Sequence, residues 1–185
     1  MTSSIPSTRP SATLMLIRNG SGTAPEVLLV NRHRDTAFGN LYAFPGGVVE
    51  AEDLELAHRC VGLDEDEAKQ RFRWDQASLS YWVAALRETF EETGILLAHQ
   101  RGRSVAAEQV PHWLRLLRDG LSFTALCDQH DLVLPLYDVH YIAHWVTPIV
   151  RPARFDTRFF LAVWPAGQGL DLDARELTDS RWCTA

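Results

Sequence analysis

The chain has 185 residues, 46% of them hydrophobic, and a formal net charge of −6. Its length and hydrophobic content fit one globular domain with a substantial core. The acidic balance and the lack of any Lys or Arg block exclude an evident nucleic-acid partner, and no apolar run approaches the roughly 20 residues that span a membrane.

Residues 1–10 are rich in Ser and Pro and lack the apolar segment of a secretory signal, so we expect a flexible stretch there. A single domain over residues 11–185 is expected to follow. The three cysteines are odd in number and widely spaced, which argues against a disulfide framework and against a zinc ribbon. We expect a cytoplasmic protein without a membrane partner, either a monomer or a homodimer.

Two strands are predicted first, over Ala12–Ile17 and Glu26–Asn31, because both runs are short and apolar and glycines separate them. An Arg-His-Arg run at 32–34 comes next, and then Phe-Pro-Gly-Gly. Gly46 and Gly47 permit backbone geometries closed to other residues, so a carbonyl there can approach a metal ion. A plain turn is the alternative interpretation of Pro-Gly-Gly.

Residues 54–74 predict one or two short helices. The acidic run at 64–67 lies among them. We expect this run to form a solvated face that aids solubility. The alternative is a lid over a substrate.

A longer helix is predicted over Asp75–Thr93, with its first residue as the N-cap and with Gly94 placed to end it in a left-handed conformation. At about 100° per residue, Glu88, Glu91 and Glu92 share one face, and apolar side chains share the opposite face. Carboxylates at this spacing repel one another by about a few tenths of a kcal/mol per pair. Since Mg²⁺ is usually held by carboxylates, water and substrate phosphates, the cluster predicts a divalent cation site. A solvated acidic face is the alternative.

The remaining chain predicts further helices and strands. The predicted elements are a strand over Ile95–Ala98, helices over Ser104–Arg118 and Leu121–His130, the second capped by Ser122, and strands around Val139–Val146 and over Phe155–Trp164. His140 and His144 have the i, i+4 spacing of a zinc site on a helix. Their neighbours favour a strand, and the Glu of the zincin motif is missing.

Arg154, Asp156 and Arg158 alternate as in a strand with one polar side. Two arginines on one side could hold phosphate in bidentate fashion. The alternative is an Arg-Asp-Arg network that only orders the sheet.

The glycine turn and the acidic helix together resemble the Nudix box, G-x5-E-x7-R-E-U-x-E-E-x-G-U, in which U is apolar. The matching residues are Gly47 for the first glycine, Arg87-Glu88 for R-E, Glu91-Glu92 for E-E, and Gly94-Ile95 for the end. Two residues depart from the pattern. Asp53 replaces the first Glu and is one methylene shorter, and Thr89 stands where an aliphatic residue is commoner.

The spacer between Asp53 and Arg87 is far longer than the seven residues of the box. This insertion, the Phe-Pro-Gly-Gly-Val-Val-Glu segment before it, and the segments Trp145–Pro148 and Arg154–Phe160 after it resemble the Nudix subfamily of the peroxisomal coenzyme A diphosphatase. The resemblance implies an α/β fold, a Nudix-type α/β/α sandwich with a mixed β-sheet. It also implies another helix after Asp179–Trp182, so we expect the sequence to be a truncated form.

The resemblance implies a hydrolase that cleaves a diphosphate linked to another moiety with the help of Mg²⁺ or Mn²⁺. The expected metal ligands are Glu91, Glu92, Glu88 and the Gly46 carbonyl. Glu88 is alternatively the base that acts through water, and Arg87 is expected to hold Asp53 or a neighbouring Glu in place, so that these three form the catalytic set. An acidic chain must concentrate positive charge locally to bind phosphate. The candidates for phosphate binding are Arg32, Arg34, Arg154 and Arg158.

Coenzyme A or its acyl derivatives are the substrates that the subfamily resemblance implies. ADP-ribose, NADH and dinucleoside polyphosphates are the alternative substrates. From another functional class, a non-hydrolysing nucleotide-sensing module on a Nudix scaffold is favoured by Asp53 and by the missing C-terminal helix. The intact Glu88, Glu91 and Glu92 favour the hydrolase more strongly.

Overall fold

The structure is a computed structural model that describes residues 7–20, 22–34, 39–72, 78–151 and 153–184. In these ranges the strands are β1 (Arg9–Asn19), β2 (Pro25–Arg32), β3 (Tyr42–Ala43), β4 (Gly46–Val48), β5 (Cys60–Val61), β6 (His99–Gln100), β7 (Arg103–Ser104), β8 (Leu132–Pro135), β9 (His140–Val146), β10 (Phe155–Val163) and β11 (Leu177–Thr184). The helices are α1 (Ala51–Glu55), α2 (Glu65–Phe72), α3 (Leu79–Thr93), α4 (Val110–Arg118) and α5 (Phe123–Gln129), with 3₁₀ turns at Leu56–Arg59 and Leu136–Asp138.

Two sheets organise the described residues. The larger sheet has the strand order β11-β2-β1-β10-β9, with β3 beside β2 and β4 beside β1. In this sheet β1 and β10 run parallel, and the other described pairs are antiparallel. The smaller sheet has the order β5-β8-β6-β7. The predicted α/β fold with a mixed sheet is therefore confirmed.

Alternating side chains divide the larger sheet into two faces. Ala12, Leu14 and Leu16 of β1 are fully buried, and α3 packs against β1 and β4. Ser11 and Thr13 point to the opposite face, because successive side chains of a strand alternate. The helix that carries the acidic cluster therefore lies on one face, and the small polar residues of β1 belong to the other.

The acidic helix α3 ends as predicted, with Gly94 in the left-handed conformation at a φ of 74°. Its described part begins at Leu79, and the predicted N-cap Asp75 lies outside the described residues. Here Glu65 of α2 provides the cap, because its carboxylate accepts the amides of Ser78 (2.6 Å) and Leu79 (2.9 Å). The first amides of a helix lack internal partners and carry partial positive charge, so this carboxylate stabilises the start of α3.

The predicted helical insertion also contributes to the core. Phe72 of α2 stacks on Trp82 of α3 with 4.7 Å between ring centroids, and its ring lies 6.3 Å from that of Phe160 in β10. Three members of the acidic run at 64–67 are exposed, but Glu65 is half-buried. The solvated-face interpretation is thus wrong for Glu65, which supports α3.

The segment Ile95–Ala98 is not the strand that its sequence predicts. It is buried but irregular. The Gln168 side chain takes the place of a neighbouring strand, since it accepts a hydrogen bond from the Leu96 amide and donates one to the Leu96 carbonyl, both at 2.9 Å. A buried backbone needs partners, and here a distant side chain supplies them.

The two helices after this segment differ from each other in how closely they match the prediction. α4 begins at Val110, later than predicted, with Pro111 in its first turn. Ser122 caps α5 as predicted, because its hydroxyl accepts the Ala125 amide at 3.1 Å. Among the described residues, no helix has both the length and the apolar content to cross a membrane.

Candidate functional site

The acidic face of α3 lies directly on the glycine turn that contains β4. A Cβ on Gly47 would lie 2.3 Å from the carboxyl carbon of Glu88, and a Cβ on Gly46 would lie 2.3 Å from the carbonyl oxygen of Ala12. Gly46 also has a φ of 151°, which residues with side chains rarely adopt. A side chain on Gly47 would push Glu88 away from the turn, and one on Gly46 would push the turn away from β1.

Arg87 is the centre of the carboxylate cluster. Its Nε and Nη2 donate to the two oxygens of Asp53 at 2.7 and 3.1 Å, and Nη2 also donates to the Val48 carbonyl at 2.9 Å. Its Nη1 donates to Glu88 at 2.9 Å and to Glu91 at 3.0 Å. All five N–H groups of the guanidinium are thereby used. One buried cation fixes the positions of three carboxylates and one strand carbonyl.

Asp53 reaches Arg87 with both oxygens although its side chain is shorter than that of the Glu in the motif. Asp53 is 1% exposed, and its Oδ2 also accepts the backbone amide of Glu50 at 2.7 Å. Glu50 is the residue before α1 and Asp53 is the third residue of that helix. Asp53 therefore ties the start of α1 to α3 through Arg87.

Glu92 occupies a second part of the site, next to the glycine turn. Its side chain is 3% exposed. The Gly46 amide donates to Oε2 at 3.0 Å, and Nη2 of Arg32 lies 2.8 Å from Oε1. The same Nη2 donates to the Gly46 carbonyl. Arg32 thus bridges two of the predicted metal ligands.

Burial raises the pKa of all three glutamates on this face. Loss of hydration raises the pKa of Glu92 to about 8, although Arg32 and the Gly46 amide act in the opposite direction. Burial likewise raises the pKa of Glu91 to about 7, against the effect of Arg87. It also raises the pKa of Glu88, which Arg87 opposes in the same way. The negative charge of this cluster is only partly neutralised by the two arginines.

The carboxylates fit a divalent cation by their chemistry. They are hard oxygen donors, and the buried Oε1 of Glu92 accepts no hydrogen bond of good geometry from the described residues. In that same part of the chain, no three His, Cys, Asp or Glu side chains converge as a ready metal site. The contacts explain this, because Arg87 holds Glu88 and Glu91 while Arg32 lies against Glu92. A cation at Oε1 of Glu92 would compete with the Arg32 guanidinium, whereas Glu88 and Glu91 each keep one oxygen outside their contact with Arg87.

A cavity of about 550 Å³ opens beside the glycine turn on the sheet face opposite the buried core. Its lining includes three arginines and four aromatic residues. They are Arg9, Arg32, Arg151, Phe44, Trp145, Phe155 and Phe159. Small polar residues, among them Ser11, Thr13 and Thr157, lie between them. The cavity therefore combines positive charge and flat apolar surfaces beside the glycine turn, which Glu88 contacts from the other side.

Of the four arginines predicted to bind phosphate, only Arg32 lines this cavity. Arg34 is exposed and is not part of the described lining. Arg154 donates from Nε to the Thr147 carbonyl at 3.1 Å and is also outside that lining. These two assignments are not supported by the geometry.

Arg158 points to the other face of the sheet. Its side chain is 1% exposed, pairs with Asp156, and lies near the ring of Phe72. His144 also contacts Asp156, with 2.7 Å between Nε2 and Oδ1. The alternative interpretation, a network that orders the sheet, describes these contacts.

Arg9 and Arg151 were not among the predicted site residues. Arg9 pairs in register with Phe155, since β1 and β10 run parallel. That pairing brings together segments that are far apart in the sequence. Arg9 lies on the same side of β1 as Ser11, because side chains two residues apart share a face of a strand. This position indicates a site residue only once the partner strand is known.

We expect Arg87→Lys to destabilise the fold by about 1–3 kcal/mol. Lysine keeps the charge, but one ammonium cannot satisfy both oxygens of the buried Asp53 and also the other acceptors. Arg175→Lys is a matched control, because Arg175 also pairs with both oxygens of an aspartate, Asp173, yet its side chain is 73% exposed. The control should change stability by less than about 1 kcal/mol. Equal losses in urea denaturation would contradict the central role of Arg87.

We also expect the metal-free protein to lose stability as the pH rises from about 4.5 towards 8. Glu92 has a folded pKa of about 8 against an ordinary value of 4.5, so the folded state binds more protons across this range. Glu92 dominates this expectation because its side chain is 3% exposed, whereas that of Glu91 is 32% exposed. Glu92→Gln should flatten the dependence of Tm on pH.

A divalent cation binds the ionised carboxylates, so Mg²⁺ should raise Tm more near pH 8 than near pH 6. Thermal unfolding at several pH values, with and without Mg²⁺, measures both effects. An equal Mg²⁺ effect at the two pH values would contradict the link between ionisation and cation binding.

Comparison with known proteins places this geometry in a family. Residues 65–185 match the family model described as NUDT19 Nudix domain. A crystal structure of a Nudix hydrolase from Alicyclobacillus acidocaldarius is 32% identical, covers 98% of this chain and 81% of its own, and superposes with a TM-score of 0.75.

The relatives named acyl-coenzyme A diphosphatase NUDT19 include proteins from Xenopus laevis and Gallus gallus. The protein from Xenopus laevis is 26% identical, with 86% of this chain and 52% of the relative aligned. The protein from Gallus gallus is 30% identical, with 74% of this chain and 47% of the relative aligned. The chain thus spans about half the length of these relatives.

The match to the NUDT19 Nudix domain covers more than half of the chain, and it includes the helix whose carboxylates surround Arg87. The chain therefore belongs to the Nudix hydrolase family, in the group of the NUDT19 Nudix domain.

Proposed function

We propose that this chain hydrolyses the diphosphate bond of coenzyme A or an acyl derivative of it, with Mg²⁺ or Mn²⁺ as cofactor. The observation that carries the proposal is the position of the cavity. Its arginines and aromatic rings lie beside the glycine turn, on which the acidic face of α3 rests. A polyanionic nucleotide bound there would have its phosphates next to the carboxylate cluster.

The lining of the cavity suits the parts of a coenzyme A molecule. Its volume of about 550 Å³ lies within the roughly 300–1,000 Å³ typical of small-molecule sites. Arg9, Arg32 and Arg151 can each donate to phosphate oxygens, and coenzyme A carries a diphosphate and a ribose 3′-phosphate. Phe44 and Trp145 offer flat surfaces for an adenine ring or an acyl chain. The relatives named acyl-coenzyme A diphosphatase support the same substrate class.

In this proposal Glu91, Glu92 and the Gly46 carbonyl would hold the cation. When bound, the cation supplies positive charge to the diphosphate and makes water more acidic. Arg87 stays protonated and has no acceptor site, so it cannot act as a base. It positions Glu88 and Glu91 through its Nη1 and is itself fixed by Asp53.

Glu88 is the proposed general base. Burial raises the pKa of its carboxyl above the ordinary value, which makes the carboxylate a stronger proton acceptor than an exposed one. Arg87 donates to Oε1 of Glu88, so Oε2 takes no part in that hydrogen bond. The residue that the motif places first, Asp53, has both oxygens engaged and serves as a positioning residue.

A panel of diphosphates tests the assignment. Coenzyme A, an acyl derivative, ADP-ribose, NADH and a dinucleoside polyphosphate are incubated with Mg²⁺ or Mn²⁺, and products are identified by mass spectrometry. We expect the highest kcat/KM for coenzyme A or its acyl derivative, with phosphopantetheine and adenosine bisphosphate as products. Glu92→Gln should lower the rate on the order of a thousandfold.

The outcomes of this panel separate the alternatives. A kcat/KM for ADP-ribose ten or more times that for coenzyme A would contradict the substrate class and leave the Nudix hydrolase in place. Tight binding of a nucleotide without turnover in the wild type, unaffected by metal, would indicate a nucleotide-sensing module.

The cavity arginines give a second expectation. Arg151→Ala should raise KM for coenzyme A roughly tenfold with little change in kcat, because it removes binding that is equal in the ground state and the transition state. Arg34→Ala removes the same charge from an exposed position outside the described lining and serves as the control. Equal KM changes in the two variants would show that only the overall charge matters.

A further inference from the structure

Arg32 occupies the place between two oxygens that a cation would share. Its Nη2 donates to the Gly46 carbonyl and lies 2.8 Å from Oε1 of Glu92. The Gly46 amide donates to the other oxygen of Glu92 at 3.0 Å, so Gly46 and Glu92 are held side by side. One guanidinium nitrogen therefore makes both contacts that the expected ion would make with these residues.

This contact offsets the negative charge of Glu92 when that carboxylate is ionised. An ionised carboxylate that is 3% exposed is costly without a positive partner, and Arg32 is the cation nearest to Glu92 in the described contacts. A divalent ion and the guanidinium cannot both lie against Oε1, because they repel each other and would overlap. Binding of the ion therefore requires Arg32 to move.

The movement involves the side chain and not the backbone. Arg32 is the last residue of β2; its amide donates to the Leu41 carbonyl at 3.3 Å, and its carbonyl accepts the Asn40 amide at 3.0 Å. It also pairs in register with Leu177 of β11. Arg32 lines the cavity, and its guanidinium is at the end of a long flexible stem. Rotation of the side chain takes it from the carboxylate into that cavity.

We propose that the Arg32 side chain is an internal substitute for the metal ion. It leaves Glu92 and Gly46 when a divalent cation binds, and it then turns towards phosphate in the cavity. The second step rests on the proposed function, and the first does not. The two steps make metal and phosphate binding cooperative: displacing Arg32 weakens metal binding, and a phosphate that accepts the released guanidinium offsets that loss.

Mn²⁺ binding to the substrate-free protein tests the first step. We expect Arg32→Gln to bind Mn²⁺ at least about fivefold more tightly than the wild type in calorimetric titration, a coupling of ordinary size. The same variant should have a lower metal-free Tm and a larger rise of Tm with Mn²⁺. Arg9→Gln is the matched control, because it removes a charge from the same cavity and leaves the described contacts of Glu92 intact. Its Mn²⁺ affinity should stay within about twofold of the wild type.

A second measurement is made on the wild type, and a variant serves only to assign one signal. Nitrogen-15 NMR of arginine side chains reports restricted rotation of a guanidinium that is held by acceptors. The Arg32 signal is assigned as the one that is lost in the Arg32→Lys variant. Saturation with Mg²⁺ should release this restriction for Arg32 and leave that of Arg87 unchanged. An unchanged Arg32 signal, or an Arg32→Gln affinity no higher than that of Arg9→Gln, would overturn the inference. Neither readout uses a nucleotide, so failure of the coenzyme A assignment would appear separately in the substrate panel.

Discussion

The Arg87 guanidinium is the interaction on which the site depends. It satisfies Asp53, Glu88 and Glu91 with one buried charge. Together with Glu92 and its partner Arg32, the set contains four carboxylates and two guanidiniums. When all four carboxylates are ionised, the excess of two negative charges equals the charge of one divalent cation. Burial raises the pKa values of the three glutamates in this cluster.

The insertion within the Nudix box stabilises α3, the helix that carries this cluster. Glu65 accepts the first amides of α3, and Phe72 stacks on Trp82 of the same helix. Asp53 ties the start of α1 to Arg87. The long spacer therefore contributes elements that hold the start of α3, and Asp53, just before the spacer, holds its acidic face.

The sequence predicted best those features that depend on local spacing. The shared face of Glu88, Glu91 and Glu92 and the left-handed Gly94 follow from helix geometry alone. It predicted poorly what depends on distant partners. Ile95–Ala98 has the composition of a strand but pairs with the Gln168 side chain, and the burial of Arg158 reflects the strand face on which it lies. The bridge from Arg32 to Glu92 likewise needs the β2 and α3 positions to be known in space.

The parallel pairing of β1 with β10 has a consequence for how the site assembles. The hydroxyls of Ser11 and Thr157, which line the cavity, lie 2.6 Å apart although 146 residues separate them in the sequence. The contacts of Arg87, in contrast, join residues between Val48 and Glu91. Closing the longer loop carries the larger entropic cost. The carboxylate cluster can thus take shape while the chain is still folding, whereas the cavity exists only after the two distant strands have met.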